Sequence, residues 1–144
     1  MNHLTGSIAG KITQRSALTL TDQPNHVMSM GEVHGPQRSS DPLWNNSTIT
    51  YWGITDLVNG RGTQHGCFDN DHGEAGHDWG TFVGKVTTVG GRMTVEGRFE
   101  FAGGNGKYRG ITGGGTFKTV MKSETELECA WDAKYALAAK SKAA

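Results

Sequence analysis

The chain has 144 residues, a length that suits one domain. Fourteen basic residues balance fourteen acidic ones, which argues against nucleic acid and anionic membrane surfaces as partners. No run of about 18 apolar residues is present, so we expect no membrane span, and the N-terminus lacks the pattern of a secretory signal. We therefore expect a cytoplasmic protein in which Cys67 and Cys129 are free thiols.

Glycine is unusually frequent, with 22 residues, whereas proline occurs three times. Disordered glycine-rich chains carry few bulky residues, but here the aromatic residues lie inside alternating segments. The glycines therefore indicate turns, bulges and close backbone approaches in a curved sheet.

Alternation of apolar and polar residues predicts strands along most of the chain. In chain order, we place them at residues 5–14, 26–34, 47–58, 62–69, 79–89, 92–101, 111–121 and 124–137. The clearest is 92–101, where Val95, Phe99 and Phe101 share one face and charged residues occupy the other. Short turn signals such as Asn59-Gly60 predict hairpins between most neighbouring strands.

Two longer connections interrupt this series, at residues 35–46 and 70–78, and such loops often guard a pocket. Eight antiparallel strands that each have one apolar face must hide that face. We therefore predict an all-β fold, an eight-stranded antiparallel up-and-down β-barrel, which also removes the sheet edges. A β-sandwich is the structural alternative.

We expect an internal cavity, because inward glycines, Gly97 with Gly113 or Gly115, would leave volume unfilled. The barrel is predicted to be a single domain over residues 1–144. Its core spans about 5–137, and 138–144 form a flexible C-terminal tail.

The segment from Phe99 to Phe117 contains Gly-Gly-Asn-Gly-Lys-Tyr and then Gly-Ile-Thr-Gly-Gly-Gly-Thr-Phe. It resembles a signature of the allene oxide cyclase-like and dirigent-like barrels, and residues 60–68 and 80–84 are loosely similar to the middle hairpin of these families. The resemblance covers about residues 26–137 and is strongest over 99–118. It implies a calycin-like barrel that binds small, largely apolar molecules. Some members cyclise or isomerise them, others only orient radicals, and related barrels often form homodimers or homotrimers.

Two interpretations of the strand at 26–34 remain open. In the first, Met30, Glu32 and His34 face the interior, where a carboxylate would have a raised pKa and act as a general acid or base. In the second, the face with Gly31 and Val33 points inward and the first set is exposed. Neither face is clearly apolar.

The candidate catalytic residues are assigned two kinds of role. Glu32 or His34 would act as acid or base, and Tyr51 or His65 would polarise a substrate. Aromatic walls bind apolar ligands and stabilise developing positive charge, although any single aromatic residue is more commonly plain core. The predicted ligand-binding residues are Met30, Trp52, Cys67, Phe82, Phe99, Phe101, Cys129, Trp131 and Tyr135.

Two further features carry competing interpretations. His65 lies on the same strand face as Cys67 and would be the base for a nucleophilic thiol, whereas buried structural cysteine is the plain alternative. Residues 65–78 are rich in His and Asp, but their spacing matches no standard zinc pattern and lacks the frame of a calcium loop. We therefore expect no metal and no other cofactor, with a solvated hairpin loop in this region.

Three functions follow from these patterns. The first is a cofactor-independent cyclase, isomerase or lyase that acts on a small apolar molecule by acid–base and aromatic-wall catalysis. The second is a non-catalytic protein that binds such a molecule, and the third is a metal-dependent enzyme that uses residues 65–78. A cyclase should place a carboxylate or histidine at the base of the pocket, whereas a carrier needs only an apolar lining.

Overall fold

A computed structural model describes residues 1–138. Its strands, in chain order, are β1 (Asn2–Leu20), β2 (His26–Ser39), β3 (Thr48–Val58), β4 (Arg61–Asp71), β5 (His77–Val89), β6 (Arg92–Gly104), β7 (Thr112–Met121) and β8 (Glu126–Ala136). Each strand pairs antiparallel with its neighbours in sequence, and β1 also pairs with β8. The strands therefore form a closed up-and-down barrel, which confirms the predicted fold class and rules out the sandwich.

Helical structure within residues 1–138 is limited to two single 3-10 turns, Gly73–Ala75 and Gly106–Tyr108. No helix in this part of the chain is long and apolar enough to cross a membrane. At the C-terminal end of the described residues, the Ala138 N–H donates a hydrogen bond to the Arg109 carbonyl at 3.2 Å. The remainder of the predicted flexible tail, 139–144, lies outside the described residues.

Strand alternation decides which side chains enter the barrel. Along β8, Cys129, Trp131 and Tyr135 are buried, whereas the intervening charged residues are exposed. The turn from β3 to β4 sets the register of that hairpin, since Asn59 and Gly60 both adopt positive φ, 53° and 76°, as a type I′ turn requires. Alternation thus selects the side chains that face the interior, and the turn residues fix how neighbouring strands pair.

The first hairpin is longer than the sequence predicts. The β1–β2 ladder runs from Gly6 opposite Ser39 to Leu20 opposite His26, whereas the predicted strands stop at residues 14 and 34. Beyond Arg15, the added end of β1 from Ser16 to Thr19 is exposed on both faces, and Leu18 retains 68% of its accessible surface. Because this segment has no buried face, it carries no alternation by which to recognise a strand.

The inward glycines act differently from the prediction. A Cβ at Gly97 would collide with the Val83 carbonyl oxygen, and one at Gly115 with that of Asp132. These glycines permit close approach of neighbouring strands, as a curved barrel requires, and leave no empty volume. Space is left instead at Gly31, where the nearest atom to a Cβ would be 3.6 Å away, and Gly31 lines an interior cavity.

One end of the barrel is closed by loop residues 40–47, and we call it the closed end. Trp44 from this loop is 1% exposed, and its ring lies 5.2 Å from that of Tyr108 and 4.6 Å from that of Tyr135. The Tyr108 hydroxyl donates to the Leu43 carbonyl, and the Tyr135 hydroxyl donates to Asp41 at 2.6 Å. The opposite end, which we call the hairpin end, carries the turns at 21–25, 59–60, 90–91 and 122–125.

An ion-paired histidine fixes the β1–β2 turn at the hairpin end. The Nδ1 atom of His26 lies 2.7 Å from Asp22 Oδ1, and its Nε2 atom lies 2.6 Å from Asp56 Oδ1. Since a carboxylate can only accept, this arrangement favours the imidazolium, in which both ring nitrogens donate. The hydrogen bonds to Asp22 and Asp56 raise the pKa of His26 above 6.5, and the bond to His26 lowers the pKa of Asp22.

The two contacts of His26, with Asp22 and with Asp56, make the free energy of unfolding depend on pH in a defined direction. Because the folded-state pKa of His26 is raised, its contribution is complete below the ordinary value of 6.5 and is lost as the pH rises through the raised value. We expect the difference in urea midpoint between wild type and His26→Gln to be larger at about pH 5.5 than at about pH 9. His65→Gln, which removes an exposed histidine on β4, is the control. A midpoint difference that is the same at both pH values would contradict this assignment.

Candidate functional site

The barrel interior contains two adjacent chambers. The inner chamber lies toward the closed end and offers about 70 Å³ to the centre of a water molecule, and the outer chamber, toward the hairpin end, offers about 90 Å³. By this measure one water needs roughly 10–15 Å³. Each chamber therefore has room for several waters or for a compact organic group.

Aromatic rings form most of the inner chamber wall. The lining aromatic residues are Trp44, Tyr51, Phe68, Phe82, Phe99, Phe101, Phe117 and Trp131. Several meet edge to face, including Phe82 with Phe117 and Phe99 with Trp131, both at interplanar angles of 90°. Such a wall suits an apolar or conjugated guest and stabilises positive charge that develops on it.

A ring of polar side chains, which we call the waist, lines both chambers and consists of Tyr51, Gln64 and Thr119. Gln64 Nε2 donates to Thr55 Oγ1 at 3.1 Å, whereas the Tyr51 hydroxyl has no protein partner within residues 1–138. Burial, and to a smaller extent the neighbouring Cys129, raises the pKa of Tyr51 well above 10. Tyr51 therefore stays protonated and offers a hydrogen-bond donor to a guest.

Cys129 lines the inner chamber beside the waist. Burial raises the pKa of its thiol to about 11, an effect that a hydrogen bond from Thr119 only partly offsets. Because the thiolate is the reactive form of cysteine, Cys129 is a poor nucleophile at neutral pH and acts as an apolar wall residue.

The lining of the two chambers contains no carboxylate and no histidine among the described residues, and Arg15 in the outer chamber is its one charged side chain. A reaction in this interior would therefore depend on hydrogen-bond donors and ring faces, since an ionised base is lacking at the wall.

A buried acid–histidine pair lies directly behind the inner chamber wall at the closed end. Asp78 is fully buried and accepts hydrogen bonds from Trp44 Nε1 at 3.1 Å, Asn70 Nδ2 at 2.9 Å and His72 Nε2 at 2.6 Å. Gln37 Nε2 in turn donates to Asn70 Oδ1 at 2.6 Å. Trp44, Asn70 and Gln37 line the chamber, so they separate the Asp78–His72 pair from any guest.

The predicted site residues divide into an interior and an exterior group. Those that line the inner chamber are Tyr51, Phe82, Phe99, Phe101, Cys129 and Trp131. Tyr135 is buried at the closed end against Trp44, outside the chamber lining. Those on the outer surface are Met30, Glu32, His34, Trp52, His65 and Cys67.

The outward position of Glu32 corrects the first interpretation of β2. Glu32 accepts hydrogen bonds from Thr13 Oγ1 at 2.7 Å and from Trp52 Nε1 at 2.8 Å on the exterior. These bonds lower its pKa, with Thr13 the larger cause, whereas an interior carboxylate would have a raised pKa. Met30 is 56% exposed, and His34 bonds Thr50 Oγ1 at 2.9 Å on the same outer face.

His65 and Cys67 are likewise outside, because Phe68 and Asn70 set the inward phase of β4. The expectation that Cys67 and Trp52 line the pocket is therefore corrected. The sequence did not reveal four polar residues of the inner chamber wall, which are Gln37, Gln64, Asn70 and Thr119. Their one signal is that Gln64 and Asn70 are in phase with Phe68 on β4.

The His- and Asp-rich segment forms pairs across the β4–β5 hairpin. His77 Nδ1 lies 3.1 Å from Asp69, and His72 turns inward to Asp78. Within residues 1–138, no group of three or more His, Cys, Asp or Glu side chains is arranged to hold a metal ion.

In comparisons with known proteins, no protein-family model matches this chain and no curated protein matches it.

Proposed function

We propose that the barrel binds a small, largely apolar molecule in its interior without a cofactor. The observation that carries this proposal is the aromatic inner chamber, whose wall contains no charged side chain among residues 1–138. Ligand pockets are typically apolar with a few polar groups that fix orientation, and the waist provides such groups. The resemblance of residues 99–117 to small-molecule-binding barrels supports the same proposal.

The waist also limits the chemistry of the guest. Tyr51 lines both chambers and offers an O–H donor that has no protein partner within residues 1–138, and an unmet donor favours a guest that brings an acceptor. We therefore expect a ring-containing or unsaturated molecule with a carbonyl, ether or epoxide oxygen placed at the waist.

A second candidate, cyclisation or isomerisation of that molecule, is favoured by the position of Tyr51 between the two chambers. Donation from Tyr51 would polarise a C–O bond of the guest, and the surrounding ring faces would stabilise positive charge on carbon. Exclusion of water would protect the reactive species. In this scheme Glu32, His34 and His65 take no part, because they lie on the exterior.

Tyr51→Phe tests the placement of the guest oxygen. We expect this variant to weaken binding of 1-acetylnaphthalene by about five- to tenfold, since it removes one hydrogen bond, and to leave 1-ethylnaphthalene unaffected. Titration of intrinsic fluorescence provides both dissociation constants, because Trp44 and Trp131 line the chamber. With a molecule that the wild type cyclises or isomerises, loss of its turnover in Tyr51→Phe while 1-ethylnaphthalene still binds would favour the catalytic candidate.

The control fills the interior. Thr119→Phe places a ring at the waist and should abolish binding of both compounds, whereas Thr81→Phe makes the same change on the outer face of β5 and should not. Thermal midpoints establish that both variants fold, and Thr119→Leu is the smaller replacement if the first does not. Binding that survives in a folded Thr119 variant would contradict an interior site.

A further inference from the structure

A bulge in β1 turns one arginine toward the outer chamber. The β1–β2 ladder pairs Ile12 with Val33 and, after the bulge, Arg15 with Gly31. In a regular strand Ile12 and Arg15, three positions apart, would face opposite sides. The extra residue restores the phase, so Arg15 lies on the same face as Gly31 and lines the outer chamber while remaining exposed to solvent. Bulges commonly redirect a side chain in this way.

The position opposite Arg15 is empty of side chain. A Cβ on Gly31 would have only the Gln14 carbonyl oxygen near it, at 3.6 Å. Arg15 and Gly31 both line the outer chamber. The remaining wall is mainly apolar and includes Ile12, Leu57, Met93, Met121 and Leu127. A guanidinium group therefore stands at the edge of an apolar space with room beside it.

Arg15 also has no acidic partner within residues 1–138. The nearest acidic residue in the ladder is Glu32, opposite Gln14. Its two oxygens are held on the outer surface by Thr13 and Trp52, and Thr13 is the bulge residue. The bulge thus places Arg15 on the chamber side of β1, and its residue Thr13 holds the Glu32 carboxylate on the outer surface.

We propose that Arg15 is an anion-recognition residue of the interior site, so that the preferred guest is an apolar molecule carrying one anionic group. This rests on the proposed function. The planar guanidinium forms paired hydrogen bonds with a carboxylate, sulfonate, sulfate or phosphate group. The apolar part of the guest lies in the chambers, and its anionic group lies at the hairpin end, where water still reaches it.

Two dyes with a common skeleton test this proposal. 8-Anilino-1-naphthalenesulfonate is N-phenyl-1-naphthylamine with an added sulfonate, and both become fluorescent in apolar surroundings. We expect Arg15→Gln to weaken the sulfonate by about five- to tenfold and the neutral dye by less than about twofold, with partial retention in Arg15→Lys. Raising the salt concentration should reduce the difference between wild type and Arg15→Gln for the sulfonate alone.

The matched control is Arg92→Gln, which removes the same charge at the same end of the barrel from the exposed outer face of β6. It should leave both dyes unchanged. Equal effects of Arg15→Gln on the two dyes, no effect on either, or an equal loss of the sulfonate in Arg92→Gln would each overturn the role of Arg15 while leaving interior binding intact. Failure of wild type to bind either dye, together with failure to bind the naphthalenes, would overturn the proposed function itself.

Discussion

Replacing Trp44 by alanine is expected to reduce the free energy of unfolding by about 3–5 kcal/mol, the range for truncating a fully buried large aromatic residue. Trp44 is 1% exposed and contacts the rings of Phe101, Tyr108 and Tyr135. Its indole N–H also donates to the buried carboxylate of Asp78 at 3.1 Å. Truncation therefore leaves a cavity and removes a donor from a buried acceptor.

Urea unfolding measures this cost, and Trp79→Ala is the matched control. Trp79 is 41% exposed on the outside of β5, so its loss should cost about 1 kcal/mol or less. Since Trp44 also forms part of the inner chamber wall, Trp44→Ala should in addition change binding of 1-ethylnaphthalene, whereas Trp79→Ala should not. Equal losses of stability in the two variants would show that Trp44 does not hold the closed end together.

The barrel was predictable where one face of a strand is apolar and the other charged. In β8, Cys129 and Trp131 alternate with Glu128 and Asp132, and this contrast is a direct consequence of one dry and one wet face. Turn signals such as Asn59-Gly60 then fix the hairpins. Fold class therefore follows from local features repeated along the chain.

The inward face was not predictable where the interior itself is polar or glycine-rich. The inward positions of β4 include Gln64, Gly66 and Asn70, while Cys67 faces out. Glycine gives no hydropathy signal. Amide side chains in the interior make the inward face look polar, which is the pattern expected of an outward face. The same ambiguity in β2 left both faces open, and it is resolved by Val33, which is buried between its neighbours in the closed barrel.

The closed end could not be derived from sequence because its partners come from distant segments. Trp44 lies in a loop, His72 in another, and Tyr108 in a 3-10 turn. Asp78 is in phase with Phe82 on β5, but the predicted strand began at residue 79 and left Asp78 in the preceding loop. Nothing local identifies the donors that satisfy it, since the barrel must close before they meet.

Asp78→Ala is expected to cost about 3–5 kcal/mol, because it leaves three buried donors without their acceptor, and each unsatisfied buried donor costs about 1–3 kcal/mol. The carboxylate accepts from Trp44, Asn70 and His72, and all three donors would lose their acceptor. Asp78→Asn keeps the shape and one acceptor oxygen, so it should cost less than Asp78→Ala. A double-mutant cycle with His72→Gln should give a coupling of about 1–3 kcal/mol, because the two side chains are in direct contact.

Asp132 provides the comparison that isolates burial as the cause. Its Oδ1 atom lies 2.7 Å from His3 Nε2, close to the 2.6 Å between Asp78 and His72. The side chains of Asp132 and His3 are each 56% exposed, whereas those of Asp78 and His72 are 0% and 3% exposed. An exposed pair contributes about 0–1 kcal/mol, so Asp132→Ala should scarcely move the urea midpoint. If the two alanine variants were equally stable, the Asp78 network would not be what holds loops 40–47 and 72–76 against the barrel, and the closed end would depend on ring packing alone.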